Sequence, residues 1–224
     1  RIGAGLVSIA THPQHAAVLN IGRPELMCHG VAAAADLKPL LERATVIAIG
    51  PGLGQSAWAR GLLTAVLDGR LPAIVDADAL NLLASEPSRR DDWILTPHPG
   101  EAARLLACAT ADVNADRLAA VQAIQSRYGG VAVLKGAGTL ITDGVRCRLS
   151  TAGNPGMASG GMGDVLTGVI AGLCAQGLPL PEAAGAGVLL HGLAGDAAAR
   201  AGGERGLLAS DLLPELHGLV NAAP

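Results

Sequence analysis

Short apolar runs bounded by glycine, proline or acidic residues alternate along the chain with longer stretches of helical periodicity. The runs at 6–10, 46–49, 73–76, 93–96 and 131–134 predict strands. A hairpin is predicted next, with strands at 139–142 and 145–149 joined by an Asp143-Gly144 turn. Helices are predicted over 56–67, 79–84, 114–128, 165–175, 181–200 and from 210 to about 220, the last with Ser210 as its N-cap. Strands separated by helices imply βαβ units, and so an α/β fold with a mostly parallel central sheet and helices on both faces. Neither a fixed-period repeat nor a linker interrupts the pattern, and the polar stretch 85–92 reads as a surface loop. One α/β domain over residues 1–224 is the simplest organisation.

Composition sharpens this picture. Half of the residues are hydrophobic and only 16% charged, which excludes disorder. Phe is absent, with one Tyr and two Trp. The core is therefore expected to consist of Ala, Leu, Val and Ile, as in buried parallel strands. The 31 glycines are roughly twice the average usage and mark positions of positive φ or close backbone approach. A net charge of −3 leaves no electrostatic footprint for nucleic acid. No apolar run reaches the roughly 18 residues of a membrane span. Cys28, Cys108, Cys147 and Cys174 form no CxxC pair and read as small core residues of a reducing, cytoplasmic protein. His12, His15, His29, His191 and His217 show no metal-ligand spacing and read as structural. The chain opens at Arg1 without a signal-peptide pattern, directly on a strand-like run, and reads as a fragment or processed form.

Candidate chemistry concentrates in five segments that sit where strands end, four of them rich in glycine or proline. GNPGMASGGMGD, residues 153–164, opens onto an apolar helix. Such a segment presents unpaired amides and a positive dipole end, which bind anions. Gly160, Gly161 and Gly163 let a phosphate approach the main chain, and Asp164 falls in the first helical turn. Asp164 then either caps the helix or acts on a ligand beside the phosphate. The Walker lysine and the GxGxxG spacing are both missing, so neither a P-loop nor a Rossmann fingerprint is present. GPGLGQ, 50–55, reads as a βα turn. In VDADALN, Asp76 ends a strand at the presumed active edge, near phosphates or their magnesium, while Asp78 is a candidate cap for the next helix. TPHPGE, 96–101, reads as a helix start with Pro99 in the first turn and Glu101 at the positive end. In KGAGT, 135–139, two glycines and Lys135 suit phosphate.

A glycine-rich loop ending in Gly-x-Gly-Asp before an apolar helix resembles the ribokinase superfamily, whose Asp takes the proton of the substrate hydroxyl during phosphoryl transfer. The longer string NPGMASGGMGDVLTGVIAGLCAQG is similar, nearly residue for residue, to the ADP-dependent NAD(P)H-hydrate dehydratase family. GPGLGQ, VDADALN, LTPHPGEAARLL and VLKGAGTLI follow in that family's order, so the resemblance runs from Gly50 to Gly177. It implies a ribokinase-like three-layer fold with Asp164 as catalytic base. Gly52 or Gly54, His98 and Asp164 are implied for the hydrated NADH or NADPH, and Lys135, Gly136, Ala137, Gly138, Thr139, Gly160, Gly161 and Gly163 for the nucleotide. Related kinases carry Asn-x-x-Glu where this chain has His98-Pro99-Gly100-Glu101, a departure shared with the dehydratases; Glu101 is implied to serve Mg2+ indirectly. ADP as co-substrate, a homotetramer and a fused epimerase domain are carried by the same resemblance. Family members have a further helix and glycine-rich segment ahead of the opening strand, which the sequence as given lacks.

The reaction so implied is removal of water from the hydrate through a phosphorylated intermediate, restoring NAD(P)H with ADP converted to AMP and phosphate. Two other readings remain at this level. A vitamin-precursor kinase of the hydroxyethylthiazole kinase type would leave phosphate on its acceptor. A non-catalytic nucleotide-binding subunit would bind ADP without turnover.

Overall fold

The computed structural model describes residues 2–221. The chain begins with β1 (Ser8–Thr11), α1 (Pro13–Ala16), β2 (Met27–Gly30) and α2 (Lys38–Leu41). A βα alternation follows: β3 (Ile47–Ile49), α3 (Ala57–Leu67), β4 (Ala73–Val75), α4 (Ala77–Ser85), β5 (Trp93–Leu95) and α5 (Pro99–Leu106). Then come α6 (Thr110–Ala115), α7 (Arg117–Tyr128), β6 (Val131–Leu134), β7 (Thr139–Thr142) and β8 (Cys147–Ser150). The chain closes with α8 (Met162–Ala175), α9 (Leu180–Gly202) and α10 (Leu212–Val220).

The main sheet has the order β3-β4-β5-β6-β7-β8. Its first four strands are parallel, and β6-β7-β8 pair antiparallel. Alternation along each strand sends side chains to opposite faces. Val75, Trp93, Leu95, Ala132 and Leu134 pack under α3, α4, α5 and α7. Ile74, Ile94, Val133 and Ile141 pack under Leu166 and Ile170 of α8 and Val188 of α9. With both faces covered, the central strands need no polar side, and β4, β5 and β6 are buried at every position. Helix–sheet–helix layering of the α/β type expected from the sequence is thus observed.

The sheet topology also builds the functional edge. The carboxyl ends of β3, β4, β5 and β6 all reach one edge, where open α/β sheets bind ligands. The hairpin reverses the chain twice, so β8 runs in the same sense as β6 and delivers the glycine-rich loop and the start of α8 to that same edge. Close backbone approach is required there. A Cβ on Gly50, at φ +132°, would lie 1.7 Å from the Asp76 carbonyl oxygen.

Several sequence expectations need correction. The opening strand falls at Ser8–Thr11, and it pairs in parallel with β2, unforeseen in the sequence, in a separate two-stranded sheet. The helix expected over 114–128 is two helices, broken at Asp116, whose carboxylate accepts from the Ala119 amide and caps α7. The hairpin turn is wider than Asp143-Gly144, because Asp143 Oδ1 captures the amides of both Val145 and Arg146 and delays the second strand to Cys147. Ser210 lies inside a 3-10 turn over Ala209–Asp211, and Asp211 holds the N-cap position of α10. The 85–92 stretch is a surface loop as expected, and the Arg90 guanidinium ties it down by donating to the Val66, Leu67 and Leu71 carbonyls. Two of the cysteines are not core residues, since Cys108 and Cys147 are exposed; Cys28 is half-buried, and Cys174, also half-buried, packs against two core clusters. Burial still pushes the Cys174 thiol up to about 11.

Candidate active site

The glycine-rich loop enters α8 through Gly161, whose φ of +84° turns the chain onto the helix axis. Gly161 holds the N-cap position and offers no side chain, so the first-turn amides of α8 receive no side-chain cap. Asp164, in that first turn, is exposed, and among the described residues its carboxylate takes no protein hydrogen bond or ion pair. The reading of Asp164 as a helix cap finds no support: Glu101, Asp112 and Asp211 hold the same third position of their helical turns and accept the amide of the N-cap residue, whereas Asp164 accepts none. The result is a positive helix end and a free carboxylate on one exposed surface.

The loop is shaped from behind. Asp196 on α9 accepts from the Gly153 amide at 3.0 Å and from Asn154 Nδ2 at 3.1 Å. Asn154 in turn accepts from the Gly156 amide, which shapes a 3-10 turn over Pro155–Met157. Ser159 donates to the Leu207 carbonyl at 3.2 Å. A Cβ on Gly192 of α9 would sit 2.7 Å from the Ala152 Cβ, so the loop reaches its place only because that helix carries no side chain there.

Beneath the first turn of α8 lies a buried charge cluster. Lys135, leaving the end of β6, places its Nζ 2.6 Å from Asp76 Oδ1 and 3.8 Å from Glu101 Oε2. The second Asp76 oxygen accepts from Thr167 Oγ1 at 2.7 Å. A Cβ on Gly163 would meet Lys135 Nζ at 3.2 Å, so the ammonium lies against the glycine of the first turn. Arg117 braces the strand end and the turn that follow: one nitrogen donates to the Leu134, Lys135 and Gly138 carbonyls. Burial lowers the Arg117 pKa from its ordinary value. Gly136, Ala137, Gly138 and Thr139 are thus held as a rigid turn beside α8, with Thr139 Oγ1 donating to the Gly136 carbonyl.

On the neighbouring strand ends, His98 and Glu101 form a capping box for α5. The His98 amide donates to Glu101 Oε2 at 2.8 Å, and His98 Nδ1 accepts from the Gly100 amide at 3.0 Å. An accepting Nδ1 leaves the ring proton on Nε2, 3.5 Å from Glu101 Oε1. His98 is exposed at the edge while Glu101 is buried. In the GPGLGQ turn, the Gly54 amide donates to Asp78 Oδ2 at 2.9 Å, so Asp78 ties down this loop and does not cap α4. Gly52, at φ +67°, is exposed, and among the described residues no acceptor faces its amide.

The structure therefore brings Asp164, Gly160, Gly161, Gly163, Lys135 to Thr139, His98, Glu101, Gly52 and Gly54 to one edge of one sheet. Sequence reasoning missed Thr167, Arg117 and Asp196, and it read His191 as structural. Thr167 follows Gly163 by four residues and so shares its helix face, a readable signal once α8 is known. Asp196 stands out as a carboxylate in an Ala- and Gly-rich helix. Burial depresses His191 to about 4, against a hydrogen bond to the Met162 backbone that raises it; the nearby Lys135 charge lowers it further. Its Nε2 is enclosed without a partner.

Comparison with known proteins agrees with this geometry. The chain is 60% identical over 222 residues to the bifunctional NAD(P)H-hydrate repair enzyme of Coxiella burnetii, covering 99% of this chain and 46% of that protein. It thus spans about half the length of such relatives. Against the ADP-dependent (S)-NAD(P)H-hydrate dehydratase of Neisseria meningitidis it is 43% identical over 183 residues, 77% of this chain and 62% of that protein. Among solved structures, the ADP/ATP-dependent NAD(P)H-hydrate dehydratase of Bacillus subtilis, co-crystallized with ATP/Mg2+ and soaked with CoA, superposes with a TM-score of 0.84 at 30% identity, covering 98% of this chain and 83% of that one. A hydroxyethylthiazole kinase from Pyrococcus horikoshii shares the fold alone, at 16% identity and a TM-score of 0.69. Residues 1–217, and with them every segment of the edge just described, match the family described as NAD(P)H-hydrate dehydratase, and the chain belongs to that family.

Proposed function

We propose that this edge dehydrates hydrated NADH or NADPH, the S epimer, with ADP as phosphoryl donor. The observation that carries the reading is Asp164: an exposed carboxylate, released from capping, in the first turn of a helix whose uncapped amides and adjoining Lys135 suit a phosphate. The Asp164 carboxylate takes the proton of the ring hydroxyl, and the resulting oxygen attacks the terminal phosphorus of ADP, displacing AMP. Phosphate is a far better leaving group than hydroxide. The ring nitrogen lone pair expels it from the phosphorylated carbon, and the adjacent ring carbon loses a proton to restore the double bond of NAD(P)H. The amides of Gly160, Gly161 and Gly163 with the Lys135 ammonium stabilise charge on the transferring group.

Gly136 to Thr139 line the nucleotide, and Gly52 and His98 the hydrate. The exposed Gly52 amide favours that glycine over Gly54, whose amide already serves Asp78. Among the described residues no three His, Cys, Asp or Glu side chains group to hold a metal. Magnesium is accordingly read as arriving on the nucleotide, since it keeps waters and substrate phosphates as ligands, with Glu101 within reach only through water. A kinase that leaves phosphate on its acceptor is supported by fold alone. The relatives called bifunctional support an accompanying epimerase activity, and the free thiols support a cytoplasmic setting; a tetramer is carried only by family resemblance.

Recovery of NADH from its hydrate, followed at 340 nm with ADP, with ATP or with no nucleotide, tests the reading. Nucleotide-dependent recovery is expected. General-base help is worth about 10² to 10⁴-fold, so Asp164→Asn lowers kcat by that order while ADP still binds. Near-normal turnover in that variant removes Asp164 from its role.

A further inference from the structure

We propose that Asp76 and Thr167 form a buried clamp that fixes the Lys135 ammonium for phosphoryl transfer, which makes both of them positioning residues of the reaction proposed above. Asp76 occupies the N-cap position of α4, where Asp ordinarily turns its carboxylate back onto the first-turn amides. Here it does not. Among the described residues no helix amide donates to its side chain, and Ala79 uses the Asp76 main-chain carbonyl. Both carboxylate oxygens point instead into the cluster, one to Lys135 at 2.6 Å and one to Thr167 at 2.7 Å. The next residue, Ala77, adopts φ +47°, a conformation that L residues other than glycine, asparagine and aspartate seldom take. A forgone cap beside a strained backbone indicates a carboxylate aimed by something other than helix stability.

Lysine supplies charge on a flexible four-carbon stem with three rotatable donors, so its position must be imposed. Asp76, 1% exposed, imposes it through one oxygen. Thr167 prevents that carboxylate from rotating. A threonine hydroxyl inside a helix commonly bonds back to the carbonyl four residues earlier; here it is spent on Asp76, ninety-one residues away in sequence. The arrangement places a single ammonium under Gly163, next to the amides that meet the phosphate, before any ligand arrives. Preorganised charge of this kind acts on the charge that develops during transfer and costs no reorganisation at that moment.

A clamp of this type predicts a kinetic signature that a merely stabilising network lacks. Thr167→Val keeps the shape and every charge but frees one carboxylate oxygen. We expect kcat to fall about tenfold, equivalent to about 1.4 kcal/mol, with KM for ADP within twofold. Thr167→Ser restores the hydroxyl and is expected to keep more than a third of the wild-type kcat. Asp76→Asn is expected to lose at least tenfold in kcat with no rise in KM, because the ammonium, held then only by Glu101 at 3.8 Å, still attracts the nucleotide but is no longer fixed in place. Rates are expressed per ADP-binding site counted by calorimetry, so partial misfolding does not mimic the effect. A Thr167→Val protein with kcat within twofold of wild type overturns the clamp, as does a Thr167→Ser protein as impaired as Thr167→Val. Wild-type protein that gives no NADH with any nucleotide overturns the dehydratase reading and the clamp with it; wild-type turnover with unimpaired variants overturns the clamp alone.

Discussion

Adding one methyl group at Gly163 should separate stability from function. Gly163 lies at the second position of α8 with helical backbone, so alanine is tolerated there conformationally. Gly→Ala in such a setting gains about 0.4–1 kcal/mol, chiefly by restricting the unfolded chain. Against this, the new Cβ meets Lys135 Nζ at 3.2 Å and Asp76 Oδ2 at 3.7 Å. The first is the far end of a flexible side chain, which yields by a few tenths of an ångström. The two effects nearly cancel, and a residual of at most about 1 kcal/mol corresponds to roughly 2–4 °C in Tm for a chain of this size. Nucleotide binding does not share this cancellation. With an effective dielectric of about 20, a unit charge pair is worth about 5.5 kcal/mol at 3 Å and about 4.1 kcal/mol at 4 Å. Moving phosphate and ammonium apart by about 1 Å, less than a methyl radius, therefore costs about 1.4 kcal/mol, or tenfold in Kd. Calorimetric titration with ADP and differential scanning calorimetry read the two quantities on the same sample. Gly163→Ala is expected to bind ADP at least tenfold more weakly with Tm within about 4 °C of wild type. An ADP Kd within twofold of wild type would refute the assignment of this surface to phosphate.

Two further outcomes concern stability. His191 is held neutral in the folded chain, its pKa depressed to about 4 mainly by burial. The unfolded chain takes up a proton below about 6.5, so stability is complete above that value and is lost as pH falls from about 6.5 toward 4, by up to about 3 kcal/mol. In His191→Gln this part of the pH dependence should vanish in urea unfolding followed across that window; an unchanged slope would show that the imidazole is already solvated. Arg90 donates to the Val66, Leu67 and Leu71 carbonyls and pairs with Asp92, tying the end of α3 to the loop before β5. Arg90→Met leaves these acceptors unpaired and is expected to destabilise by about 2–4 kcal/mol without altering ADP affinity, and a loss under 0.5 kcal/mol by denaturant titration would contradict it.

Regular elements were legible where one local signal dominated. The all-apolar runs at 73–75, 93–95 and 131–134 have no polar face to offer solvent, so they had to be central strands. Ser56 caps α3 through the Ala59 amide, where the sequence predicted the helix to begin. Boundaries failed where a side chain competed with the backbone, as at Asp116, Asp143 and Asp211. The same competition governs the acidic pair after β4. Asp78 was the candidate cap and Asp76 the strand end, yet it is Asp76 that holds the N-cap position, and neither side chain caps α4, because each has a tertiary partner that replaces the local amide.

The sequence by itself determined the layered α/β fold, the edge at which chemistry is concentrated, the family, and Asp164 as the leading candidate. These are carried by periodicity and by contiguous strings, information that survives without coordinates. Tertiary structure alone decided which carboxylates are free and which are engaged. Asp164 is free because it is exposed and, among the described residues, no donor or cation is brought within reach of its carboxylate. Asp76 is engaged because β4, β6 and α8, fifty-nine and ninety-one residues apart in sequence, converge on it. Hydrogen bonds and ion pairs act over about 3 Å of space, and folding, not sequence separation, sets which groups fall within that reach.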